Sequence, residues 1–146
     1  VLLETAKISF DIETSDAECV LGVEIWLDNA VLLSNNHVQE KITFSHDISD
    51  DDGEHELRIV LSGKTTDHTK VDEAGNIVKD ATLQISNVVI DEIDINQLFL
   101  DKCVYTHNFN GTQPEIKDTF HGVAGCNGTI SFEFSTPIYL WLLENM

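Results

Sequence analysis

The sequence predicts an all-β fold, a two-sheet antiparallel sandwich of jelly-roll type, as a single domain over residues 1–146. Three observations predict it. Apolar and polar residues alternate in segment after segment, the period of strands with one wet face. Turn residues separate these segments at roughly ten-residue spacing. No window of a dozen residues shows the three-to-four repeat of an amphipathic helix.

In KISFDI, Ile8, Phe10 and Ile12 fall on one side, with Lys7, Ser9 and Asp11 on the other. Val23, Ile25 and Leu27 alternate in VEIWL, and Asp28-Asn29 turns the chain into AVLL as a hairpin. Ile42 and Phe44 alternate in KITFSH, and Leu57, Ile59 and Leu61 in ELRIVL; the DDDG between them reads as a tight turn of a second hairpin. Lys64 to Asp80 is the longest polar segment and predicts a loop or a projecting hairpin. Leu83 and Ile85 alternate in ATLQIS, which SNVVI follows as a strand, and Ile130, Phe132 and Phe134 alternate in TISFEF. Ala74-Gly75-Asn76, Asn110-Gly111 and Asn127-Gly128 supply further turn signals. The continuously apolar IYLWLL near the end predicts a strand covered on both faces, and so a subunit contact.

Composition narrows the function classes. The chain has 26 acidic against 8 basic residues, a net charge of −18. Such a surface repels nucleic acid and anionic lipid, whose affinity comes from Lys and Arg. Neutral carbohydrate, divalent cations or a basic protein surface remain as partners. No apolar run reaches the ~20 residues of a membrane helix, and VLLETAKISF lacks the basic region and cleavage site of a signal peptide. Cys19, Cys103 and Cys126 are odd in number and lack close metal-type spacing, which points to buried free thiols in a reducing compartment.

The segment HDISDDDGEHE concentrates carboxylates and two imidazoles. It is not an EF-hand: with Gly53 as the sixth loop residue, Ile48 and Ile59 fall on the first and twelfth positions, where oxygen ligands belong. A looser calcium site could use Asp50, Asp52 and Glu54, with Asp51 beside them; a solvated acidic turn is the competing reading. Glu92 and Asp94, on one side of an alternating DEID, could chelate a hard cation or simply charge a sheet edge. His46 and His55 flank the acidic turn and could hold zinc across a hairpin with a third ligand, or sit as surface imidazoles beside carboxylates. There is no HExxH, no GxSxG and no GxGxxG, and Cys126 in AGCNG has no base fixed near it. No catalytic residue is assigned. Trp26 is opposite in phase to Val23, Ile25 and Leu27, and Trp141 lies between leucines; each is a candidate platform for a sugar ring or a packing contact.

Two resemblances add to this. VEIWLDNAVLL followed by DGEHELRIVLSGK resembles the calcium-dependent carbohydrate-binding modules of jelly-roll fold, although their calcium-binding segments do not appear here. HELRIVLSGKTTDHTKVDEAGNIVKDATLQISNVVIDEIDI, with THNFNGT and GCNGTISFEFSTPIYLWLLENM, is similar to small proteins encoded by tailed marine bacteriophages, chiefly myoviruses of cyanobacteria. That resemblance implies a non-enzymatic virion or virion-associated protein assembled in the host cytoplasm, touching other virion proteins and host glycans. The first implies a lectin-like module with calcium as its cofactor.

Overall fold

The computed structural model describes residues 5–15, 21–49, 53–63, 69–71, 73–74, 77–107, 114–124 and 127–145. In chain order the elements are β1 (Thr5–Thr14), β2 (Gly22–Leu27), β3 (Ala30–Asn35), β4 (Ile42–Ser49), β5 (Gly53–Ser62), β6 (Thr69–Val71), β7 (Ile77–Asp80), β8 (Leu83–Ile90) and β9 (Ile93–Asp94). Helix α1 (Asn96–Lys102), β10 (Val104–His107), β11 (Ile116–Thr119), β12 (Val123–Ala124), β13 (Gly128–Thr136) and α2 (Ile138–Asn145) follow.

The strands build the two antiparallel sheets that alternation predicts. One has five strands, ordered β12-β8-β1-β4 with β9 beside β8; the other has six, ordered β11-β10-β13-β5-β2-β3. Alternate residues of both sheets point inward, and Phe10, Ile25, Ile59, Ile85 and Phe132 belong to one buried cluster. Each such side chain contributes about 1.5–3 kcal/mol by leaving water, which makes the alternation decisive for the fold. The β2–β3 hairpin turns at Asp28-Asn29 as expected, and Asp28 takes a φ of 55°. Strands β6 and β7 pair with each other as a two-stranded sheet, the hairpin form of the Lys64–Asp80 expectation.

Four features depart from the sequence expectation. First, β4 and β5 are not a hairpin: β4 pairs with β1 in the five-stranded sheet, while β5 pairs with β13 and β2 in the other. The acidic connection therefore passes from one sheet to the other. Alternation identifies a strand but not its partner. Second, ATLQIS and SNVVI are one strand with an irregular register: Ser9 faces Val89 but Asp11 faces Ser86. The extra residue, with Asn87 at a φ of 56°, flips the buried phase from Leu83 and Ile85 to Val88 and Ile90.

Third, IYLWLL is the helix α2, not a strand. Pro137 precedes it, joined to Thr136 by a cis peptide, and Ile138, Trp141 and Leu142 bury at the i, i+3, i+4 spacing of a helix. Eight residues are too few to show in a longer window. Tyr139, Leu140 and Leu143 stay exposed on its other side. Fourth, the short α1 carries the buried Phe99 against the ring of Phe132, centroids 5.0 Å apart. The side chain of Asp94 accepts the Asn96 N–H where α1 begins, at 2.9 Å.

Candidate functional site

The outward face of the six-stranded sheet carries polar side chains at the positions alternating with its core residues. Its register sets Trp26, Arg58, Ser131, Val104 and Thr119 in one row across β2, β5, β13, β10 and β11. Four inter-strand steps of about 4.8 Å make that row roughly 19 Å long. The next row runs from Glu24 through Val60, Thr129 and Thr106 to Lys117.

A groove of about 510 Å³ lies on this face, lined by Glu56, Arg58, Lys102, Val104, Thr106, Glu115, Lys117, Thr129, Ser131 and Glu133. A second groove, of about 690 Å³, is lined by Asp28, Glu54, His55, Glu56, Lys102, Glu133, Phe134, Ser135, Trp141 and Asn145. The two share Glu56, Lys102 and Glu133, so they form one trough.

One end of the trough is fixed by a hub at the β2–β3 turn. The Asp28 carboxylate accepts the Glu56 amide at 3.0 Å and lies 2.9 Å from His55 Nδ1, while the Asp28 carbonyl accepts from Arg58 Nη2 at 2.9 Å. His55 Nε2 lies 3.2 Å from the buried hydroxyl of Thr136 at the end of β13. Burial alone would raise the Asp28 carboxyl. The bond to His55, the Glu56 amide and attraction to the His55 ring outweigh it and hold the group below the usual carboxylate value.

This hub sets Arg58 over the Trp26 ring, 5.3 Å from its centroid, in a cation–π contact. Glu56 is similarly committed: the Ser131 hydroxyl donates to it at 2.7 Å, and Arg58 Nε pairs with it at 3.3 Å. The middle of the trough differs. The side chains of Thr106, Thr129, Lys102 and Lys117 make no hydrogen bond or ion pair with a described residue.

The structure distributes the sequence-predicted site residues unequally. Trp26 is half-buried on the outward face, with its indole N–H donating to Glu24 at 2.9 Å. Trp141 lines the trough but is only 8% exposed, its ring standing edge-on to Phe132 and Phe134, so it packs core and offers no open face. Asp50 and Asp52 lie outside the described residues, as do Asp51, Cys19 and Cys126. Glu54 lines the trough on β5, whereas Glu92 and Asp94 belong to the β8–β9 hairpin of the other sheet.

Glu92 and Asp94 do not share a strand face. Asp91 and Glu92, with φ of 48° and 68°, form a two-residue turn closed by Ile90 and Ile93, as a type I′ turn requires. Asp91 is spent on the Lys7 amide at 2.7 Å and the Tyr139 hydroxyl at 3.1 Å. His46 and His55 stand on strands of different sheets, so the expected pairing across a hairpin does not form; His46 stacks on Phe44 instead, centroids 6.5 Å apart. Among the described residues no three His, Cys, Asp or Glu side chains gather as a metal would need. Cys103 is buried and free, and burial pushes its thiol far above the usual range, away from thiolate chemistry.

Reasoning from sequence alone missed the trough hydroxyls. Thr106 and Thr129 carry no motif, and only the β10–β13 pairing makes them neighbours.

No protein-family model and no curated protein matches the chain. Two solved structures do match in fold. One is vCBM60 in a selenomethionine form, described in work linking two families of calcium-dependent carbohydrate-binding modules by circular permutation. It matches with a TM-score of 0.54 and 13% identity, over 87% of this chain and 89% of that one. The other is vCBM60 in complex with galactobiose, with a TM-score of 0.50 and 14% identity, over 86% of this chain and 96% of that one. The present chain thus shares the β-sandwich fold of vCBM60.

Proposed function

We propose that the chain is a carbohydrate-binding module that works without bond-making chemistry, taking its ligand in the trough on the six-stranded sheet. One observation carries the reading: hydroxyl and ammonium side chains left without described partners line a groove across a fold shared with carbohydrate-binding modules. Sugars present many hydroxyls that donate and accept. A site built to bond them discriminates well, because an unpaired polar group in a closed interface is costly. Arg58, held over the Trp26 ring, lines the groove beside those hydroxyls.

The test is binding to a glycan panel by the chain and by a Thr106→Val/Thr129→Val variant. These substitutions keep the β-branched shape that suits strands and remove only the hydroxyls. Affinity falls at least tenfold in the variant with melting unchanged; equal binding by both proteins refutes the trough as the site.

Calcium is a narrower proposal, supported by the fold shared with calcium-dependent carbohydrate-binding modules and by the carboxylates of Asp50 to Glu54. The described residues alone supply no such site. A calcium titration followed by melting decides it. Occupancy at 100 times the dissociation constant raises stability by about 2.7 kcal/mol. An unchanged melting temperature at millimolar calcium removes the ion from the account.

A setting in a bacteriophage virion, assembled in the host cytoplasm, is the narrower proposal that the resemblance after His55 supports. Its test is retention of the protein in purified particles.

A further inference from the structure

The charges of the trough carry a second step, which rests on the carbohydrate reading above. The chain has 8 basic residues against 26 acidic ones. Three of the eight, Arg58, Lys102 and Lys117, line the single groove that Glu56, Glu115 and Glu133 also line. Three against three cancel formally there, on a protein whose net charge is −18. The groove is therefore formally neutral on an acidic protein, while the adjoining part of the trough adds Asp28 and Glu54.

Packing explains only part of this gathering. Arg58 is tied to Asp28, Glu56 and Trp26. Lys102 stands in the last turn of α1, where a cation suits the helix end. Lys117 lies on the exposed edge strand β11 and has neither reason to be there. Neither lysine makes an ion pair with a described carboxylate, although acids outnumber bases more than threefold. Glu56 in the same groove is already occupied by Ser131 and Arg58, and Glu115 and Glu133, which also line it, pair with neither lysine.

We propose that the trough selects sugar acids, chains bearing uronate carboxylates, with Lys102 and Lys117 receiving the carboxylates. The hydroxyls of Thr106 and Thr129 then bond the ring hydroxyls between them. An ammonium on a flexible stem is a point charge with three donors and follows a carboxylate without demanding one fixed geometry. The overall negative charge does not forbid this, because at physiological salt charges beyond about 8 Å are largely screened.

The experiment is calorimetric titration of the intact chain with uronate oligomers of galacto-, gluco- and manno-configuration, each alongside its methyl-esterified, uncharged form. One acid binds at least tenfold tighter than its ester, about 1.4 kcal/mol. The preference shrinks as salt is raised, and it disappears in a Lys102→Gln/Lys117→Gln variant whose melting temperature is unchanged. Esters binding as tightly as acids, or a double variant that keeps the preference, overturn the selection for acids. In either case binding of neutral sugar leaves the carbohydrate reading standing. No binding by acids, esters or any neutral glycan sinks both.

Discussion

The outward faces of the two sheets use their polar side chains differently. On the five-stranded sheet a group of them around Asp11 is spent on one another, though Lys7 and Ser9 at one end are not. Asp11, 9% exposed, accepts the Asn87 amide at 2.8 Å and the Thr43 hydroxyl at 3.1 Å, and Lys41 bridges Asp11 and Glu13 at 3.4 and 3.6 Å. This network spans β1, β4 and β8 and holds the bulge at Asn87. On the six-stranded sheet the hub at Asp28 is closed in the same way, but Thr106, Thr129, Lys102 and Lys117 are left open to the trough. Polar groups that satisfy each other specify a fold; polar groups left open are available to something else.

Substitutions can break that contrast. The largest effect comes from Gly128→Ala, beneath the trough. An added methyl would collide with the Thr106 carbonyl and lie 2.9 Å from His107 Cβ, so the β10–β13 pairing must shift. A loss of about 3 kcal/mol, the upper end for overpacking, appears in denaturant melts, together with weaker glycan binding.

Asn87→Ala comes next and acts on the other face. Alanine at a φ of 56° is strained, and Asp11 loses its first hydrogen bond, together about 2 kcal/mol. Asn87→Gly relieves the backbone and recovers roughly half. Both variants bind glycan like the parent at temperatures where they are folded.

Thr106→Val/Thr129→Val gives the converse: stability within about 0.5 kcal/mol of the parent, as surface changes usually are, and the tenfold loss of affinity described above. If this pair melts early while Asn87→Ala does not, the assignment of the two faces is reversed.

The smallest effect is a pH dependence. The Asn87 bond first, opposed by burial and then aided by Thr43 and Lys41, holds the Asp11 carboxyl below its ordinary 3.8. A lowered carboxyl adds stability above the unfolded value, and that stability is lost as pH falls through the folded one. The stability gap between the parent and Asp11→Asn is therefore widest at neutral pH and closes below about pH 4. Measuring the gap cancels the relief of repulsion that acid brings to any protein of such charge.

Much of this architecture was legible in the amino-acid order. Ile8-Phe10-Ile12 and Ile130-Phe132-Phe134 announce their strands because each needs only its own alternation. What escaped depends on more than period. The β4–β5 connection changes sheets, and nothing local to Asp50–Asp52 encodes which strand lies beside which. The reversal of phase after Asn87 needs the bulge, and IYLWLL becomes a helix because its turn starts from Pro137 and its apolar side is short. For the site, Trp26 was visible as an outward ring. Thr106, Thr129 and Lys117 were not, since ordinary residues become a site only when β10, β11 and β13 are set side by side.

The most direct test is to follow backbone amide and Trp26 indole resonances while a glycan that binds is titrated in. The account predicts that the largest shifts gather at Arg58, Thr106, Lys117, Thr129 and Ser131, with Asp11, Thr43 and Asn87 unmoved. Shifts concentrated on the five-stranded sheet, or on the β8–β9 turn at Asp91 and Glu92, would contradict it.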